Sequence, residues 1–126
     1  MALYAGGQRM AQLLRATAAD YDPTTQTLRL FDPKGRRTTA REHLLPLGPK
    51  CAALVAPLAE KAKTAPAGLL FSSYGTRPMA ETTPGKRVVE IVHDEKMEPF
   101  NLLDVRRTAE TMLAGMGISR DTRAQL

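Results

Sequence analysis

Apolar and polar positions along this chain follow two periods in turn. From Gln8 to Ala19 the residues Met10, Leu13, Leu14 and Ala18 recur at roughly helical spacing and predict a helix. Gly6-Gly7 breaks any helix coming before it. Tyr21-Asp22-Pro23 starts a turn, and Thr27-Leu28-Arg29-Leu30-Phe31 then alternates with period two, which predicts a strand. Asp32-Pro33-Lys34-Gly35 is a turn signal. Arg41 to Leu47 predicts a second strand, which Pro46 confines to a sheet edge or a strand end. The two strands together predict a hairpin whose tip runs from Lys34 to Ala40.

Helical spacing returns after the hairpin. Pro49 suits the first turn of a helix carrying Cys51, Leu54, Val55 and Leu58. Pro57 is expected to kink or shorten it. Thr64 to Gly85, with several Pro and Gly residues, reads mostly as loop, and Leu69-Leu70-Phe71 is an apolar anchor inside it. Val88, Val89, Ile91 and Val92 predict a short helix within Lys86 to Met97. Asn101 or Asp104 caps a further helix running to Leu113 or Ala114, with Val105, Ala109, Met112 and Leu113 as its buried stripe. Gly115 and Gly117 end it. Ser119 is placed to cap a last helix reaching Leu126.

Composition narrows the class. A chain of 126 residues suits one domain with a modest core. Its 43% hydrophobic and 25% charged residues are an ordinary globular mix, which excludes a disordered or collagen-like chain. No apolar run approaches the roughly 18–20 residues that span a bilayer, so no membrane association is expected. Met1 to Gly7 lacks the basic and apolar regions of a signal peptide. Cys51 is the single cysteine; with His43 and His93 it makes no metal framework. A reducing, cytoplasmic compartment is the simplest expectation. The formal charge of +5 and pI near 9.7 favour phosphate-bearing partners through counterion release. Many basic proteins bind no nucleic acid, so charge alone does not decide.

Candidate chemistry is sparse. Arg106-Arg107-Thr108 lies near the start of a predicted helix, where guanidinium groups can grip a phosphate bidentately. Spacing alone fits a solvated basic face better. His43 on the second strand and His93 read as structural or solvated. Cys51 reads as core, and Met10, Met112 and Met116 as packing.

Longer segments carry a family resemblance. Asn101-Leu102-Leu103-Asp104-Val105-Arg106-Arg107-Thr108-Ala109-Glu110-Thr111-Met112-Leu113, followed by Gly115-Met116-Gly117-Ile118-Ser119, resembles the H-D-L-R-R-T-x-x-T-x-L segment and Gly-hydrophobic-Ser turn of tyrosine recombinases (phage integrases). Gly7-Gln8-Arg9-Met10-Ala11-Gln12-Leu13-Leu14 resembles that family's T-G-x-R-x-x-E-L-L, with Gly6-Gly7 for Thr-Gly and Gln12 for Glu. Lys34 in the predicted hairpin turn, followed by Leu45-Pro46-Leu47, resembles the hairpin lysine and V/L-P-L strand end. The three occur in the family order. The resemblance runs from about Ala5 to Leu126 and matches poorly from Leu69 to Pro99.

The resemblance implies an α+β fold, mainly helical with a small antiparallel β-sheet, and makes residues 1–126 a partial catalytic domain. It implies site-specific DNA integration or excision, with double-stranded DNA as partner and no metal or cofactor. Arg9 and Arg106 match the arginines that bind the scissile phosphate, where cationic groups stabilise developing negative charge. Lys34 matches the general acid for the leaving 5′-oxygen. In the family a tyrosine attacks and forms a 3′-phosphotyrosyl link. Arg36, Arg37, Arg41 and Arg107 are candidates for phosphate contacts that position DNA.

Departures qualify that expectation. Leu103 stands where H-x-x-R has its histidine. The family's later His or Trp and its nucleophilic tyrosine belong after Leu126, and Tyr4, Tyr21 and Tyr74 all precede Arg106. The chain by itself is expected not to cleave DNA. A non-catalytic DNA-binding remnant of a prophage integrase shares every motif, and Leu103 favours it. A basic structural or protein-interaction domain with accidental matches is the other alternative. The family's domain continues on both sides, so Leu3, Tyr4 and the last helix are expected to be partly bare. Self-association through these truncated ends, or marginal stability as a monomer, follows.

Overall fold

The computed structural model describes residues 1–32 and 39–125. Its elements are α1 (Met10–Leu13), β1 (Tyr21–Asp22), β2 (Thr27–Asp32), β3 (Arg41–Pro46), α2 (Pro49–Lys63), α3 (Thr82–Asp94), α4 (Leu102–Gly115) and α5 (Arg120–Gln125). The strands form one antiparallel sheet in the order β1-β2-β3. The architecture is α+β, mainly helical with a small antiparallel sheet, as the resemblance implies.

The hairpin strands form where period-two alternation places them. Leu28, Leu30 and Leu45 point inward and are fully buried, while Arg29, Phe31 and Leu44 point out. Leu28 pairs with Leu45 and Leu30 with His43. Pro46 ends β3 opposite Thr27 on an edge strand, where its missing N–H costs no ladder bond. The first strand, β1, lies where only a turn is expected from the sequence. Its connection to β2 is tied by Asp22, whose Oδ1 accepts from the N–H groups of Thr24 and Thr25 at 2.8 and 3.3 Å.

The helix expected from Gln8 to Ala19 is cut to Met10–Leu13 plus a short 3₁₀ turn at Ala18–Asp20. Tertiary pairing overrides its propensity. Ala16 O accepts from Leu70 N at 2.9 Å, and Ala18 N donates to Gly68 O at 2.7 Å, bridging Thr17 to Leu69. The Leu69-Leu70 anchor is buried by this pairing.

Helix α2 starts at Pro49 and runs through Pro57 to Lys63, so the proline does not shorten it. Pro57 and Ala53 are both exposed. The carbonyl deprived of its donor therefore lies on the solvent side. The core face is Cys51, Ala52, Val55, Ala59 and Ala62; Leu54 is exposed and Leu58 only half-buried, contrary to the expected stripe. These residues join Leu13, Leu28, Leu30, Leu45 and Leu70 in one cluster.

Helix α3 begins at Thr82, inside the stretch expected to be loop, because Pro84 sits in the first turn where its lack of an N–H is harmless. Helix α4 is capped as expected. Asn101 Oδ1 accepts from Leu103 N at 2.9 Å and Asp104 N at 3.2 Å, and Asp104 Oδ2 accepts from Asn101 N at 2.9 Å. Ala109 is buried, and Val105 and Leu113 are half-buried, but Met112 and Met116 are exposed rather than packed. Gly117, at φ +78°, ends the segment, and Ser119 Oγ accepts from Thr122 N to start α5. Among the described residues no helix is long and apolar enough to cross a membrane.

Candidate functional site

The candidate residues come from three places in the fold. Arg9 stands at the N-terminus of α1 in extended conformation, just after two glycines in the left-handed region. Gly6 and Gly7, at φ +73° and +77°, turn the chain so that Gly7 N returns to Ala2 O at 2.9 Å. Only glycine adopts this pair of conformations without strain. The turn seats the Arg9 segment on α4: a Cβ added at Gly7 would lie 3.1 Å from Ala109 Cβ and 3.3 Å from both Cα and Cγ of Arg106.

Arg106 is half-buried, one turn into α4. Among the described residues no hydrogen bond or ion pair engages its guanidinium. A partly desolvated cation without an acidic partner gains from an anionic ligand. Arg107 differs. It is exposed, and its Nη1 donates to Asp104 Oδ1 at 3.2 Å across one helical turn.

Arg9 reaches the sheet. Its Nη1 lies 3.4 Å from Asp32 Oδ2, at the end of β2. Arg41, the first residue of β3, is paired with Asp32 across the ladder. Arg9, Asp32 and Arg41 therefore gather where the hairpin leaves the sheet. Lys34, Arg36 and Arg37 belong to that connection and lie outside the described residues.

The remaining sequence candidates separate cleanly. Cys51 is wholly buried, and burial pushes its thiol pKa up, which suits core rather than reactivity. His93 is exposed beside Asp94, at 3.3 Å. His43 shares the inward face of β3 with Leu45, and its Nε2 is shielded from solvent with no partner among the described residues. Leu103 is exposed in the first turn of α4. In the sequence Asp32 reads only as a turn former. Its pairing with Arg9 spans 23 residues and leaves no local signal.

This arrangement of a three-stranded sheet and surrounding helices is the fold of tyrosine recombinases. The XerA recombinase superposes with a TM-score of 0.81 at 14% identity, over 98% of this chain and 45% of that one. The Tn1549 transposon integrase in complex with circular intermediate DNA superposes with a TM-score of 0.77 at 17% identity, over 98% and 46%. The same integrase in complex with transposon right end DNA gives 0.73 at 17%, over 97% and 46%. The chain thus spans less than half the length of the recombinases it matches. No protein-family model matches the sequence, and no curated protein matches it.

Proposed function

We propose that this chain is a partial catalytic domain of a site-specific DNA recombinase or integrase, and that it holds the scissile phosphate of duplex DNA between Arg9 and Arg106. The observation that carries this reading is the seating of Gly7 against Arg106, which brings the two arginine-bearing segments together. The half-buried Arg106 guanidinium, without a partner among the described residues, supports it, because such a group is stabilised by an incoming anion. Lys34 is assigned the proton donor's role from its place in the hairpin motif. Arg36, Arg37, Arg41 and Arg107 are assigned contacts to flanking phosphates, which position DNA without reading its sequence.

With Tyr4, Tyr21 and Tyr74 all preceding Arg106, no tyrosine of this chain is assigned as nucleophile. The proposed activity of the chain alone is phosphate binding. Leu103 at the motif's histidine position favours a second reading, a DNA-binding protein without cleavage chemistry.

The test is binding of the chain to short duplexes of unrelated sequence across a salt series. Dissociation constants of about 10⁻⁴–10⁻⁶ M at physiological salt, rising steeply with salt, are expected. Arg9→Ala and Arg106→Ala should each weaken binding similarly on every duplex. Affinity indifferent to salt and to both substitutions would refute the proposal. Incubation with a nicked suicide duplex should yield no covalent adduct; one that survives boiling in detergent would restore a nucleophile to this chain.

A further inference from the structure

We infer that Asp32 is the positioning residue for Arg9, holding one edge of its guanidinium so that the rest faces the phosphate. The inference rests on the reading of Arg9 as a phosphate ligand. Arginine at the start of a four-residue helix has little to fix it. It has four rotatable side-chain bonds, no acidic residue stands in the first turn of α1, and Gln12 one turn on is neutral. The carboxylate comes from another element. Asp32 Oδ2 approaches Nη1 of Arg9 at 3.4 Å from the last residue of β2.

The geometry leaves Arg9 capacity to spare. A guanidinium carries five N–H donors in a planar fork, and this contact engages Nη1 alone. The side chain remains 45% exposed, which leaves part of its surface accessible to a ligand. Asp32 is itself anchored in the ladder opposite Arg41. A strand held in the ladder therefore sets where the guanidinium at the start of a four-residue helix points. Holding it in advance removes part of the ordering cost on phosphate binding.

Charge competition predicts the opposite sign. If Asp32 only repelled DNA or occupied Arg9 in its place, removing its charge would tighten binding. Positioning requires an acceptor, not a full charge, so the isosteric amide should serve. The two are separable by substitution.

The experiment measures binding of the full chain to a short fluorescent DNA duplex at fixed salt. It compares wild type, Asp32→Ala, Asp32→Asn, Arg9→Ala and the Asp32→Ala, Arg9→Ala double variant. Asp32→Ala should weaken binding about two- to fivefold, the range an exposed ion pair supports. Asp32→Asn should keep most of the affinity through its carbonyl oxygen. Asp32→Ala should have no further effect once Arg9 is alanine, a non-additivity that a purely structural or long-range role would not give. Unchanged or tighter binding by Asp32→Ala, or an equal loss with and without Arg9, would overturn the inference. If Arg9→Ala alone changes nothing, the phosphate-site reading fails first. If Arg9→Ala weakens binding and Asp32→Ala does not, only the positioning role falls.

Discussion

Gly7 lies tight against Arg106: a Cβ there would meet Arg106 Cα and Cγ at 3.3 Å and Ala109 Cβ at 3.1 Å, so these neighbours would have to give by a few tenths of an ångström. Its φ of +77° adds a second constraint. Gly7→Ala should therefore combine backbone strain with overpacking and destabilise the chain by about 2–4 kcal/mol. Gly117 provides the control. Its φ is +78°, but nothing lies within 4 Å of its added Cβ. Gly117→Ala should cost only the conformational part, about 1 kcal/mol. Urea unfolding of the two variants measures the difference. Equal losses would show that Gly7 and α4 do not share a packed interface. The displaced Arg106 should also weaken DNA binding in Gly7→Ala and leave Gly117→Ala unaffected.

The α4 cap makes a separate prediction. Asn101 satisfies two N–H groups at the start of the helix that carries Arg106, and Asp104 returns a bond to Asn101 N. Asn101→Ala should lower stability by about 1 kcal/mol. Asn101→Asp should be nearly neutral, because its oxygen accepts the same bonds. Thermal melting distinguishes them, with a drop of about 3–6 °C expected for alanine alone. No difference between the two substitutions would mean that the cap adds nothing to α4.

Asp22 gives a pH dependence with a definite sign. The Thr25 hydroxyl first, then the N–H groups of Thr24 and Thr25, hold its carboxyl below the usual range. A carboxyl whose pKa is lowered on folding contributes its stability above the unfolded value, near 3.9. The contribution is lost as pH falls from there through the folded value. Asp22 is fully exposed, so the effect is small and confined to acid below about pH 4. An NMR titration should place the Asp22 midpoint under that of an unstructured aspartate. Asp22→Asn should flatten the acid limb of melting temperature against pH. A midpoint at or above the ordinary value would contradict the turn geometry.

What was legible in the sequence is what local physics writes there. Leu28, Leu30 and Leu45 alternate with outward residues, and the hairpin follows. Asn101 and Asp104 sit three apart, and the α4 cap follows. Contacts made across long separations were not legible. Helix α1 stops early because Ala16 and Ala18 pair with Leu70 and Gly68. The core face of α2 is built of alanines, Cys51 and Val55, because only small side chains are buried there, while Leu54 is left outside. At the candidate site the motifs singled out Arg9, Lys34 and Arg106. They did not show that Asp32 meets Arg9 or that Gly7 meets Arg106, since neither contact leaves a periodic or local trace.

The last prediction concerns the uncovered end of α4. Ala109, Met112 and Met116 fall on one side of a helix with 3.6 residues per turn. Ala109 is 4% exposed, Met112 51% and Met116 69%, so the apolar stripe continues beyond what covers it. Val89 and Ile91 on the neighbouring α3 are exposed as well. Bare apolar surface of this kind favours association once patches exceed a few hundred Å². Sedimentation across a concentration series should show the chain self-associating. Met112→Lys with Met116→Lys should restore a monomer and change unfolding stability by no more than about 0.5 kcal/mol, as surface substitutions do. Ala109→Lys, at a buried position, should instead unfold or strongly destabilise the chain. A sedimentation coefficient independent of concentration in the unmodified chain would contradict the association. A large stability loss in the double methionine variant would show that this stripe is already packed.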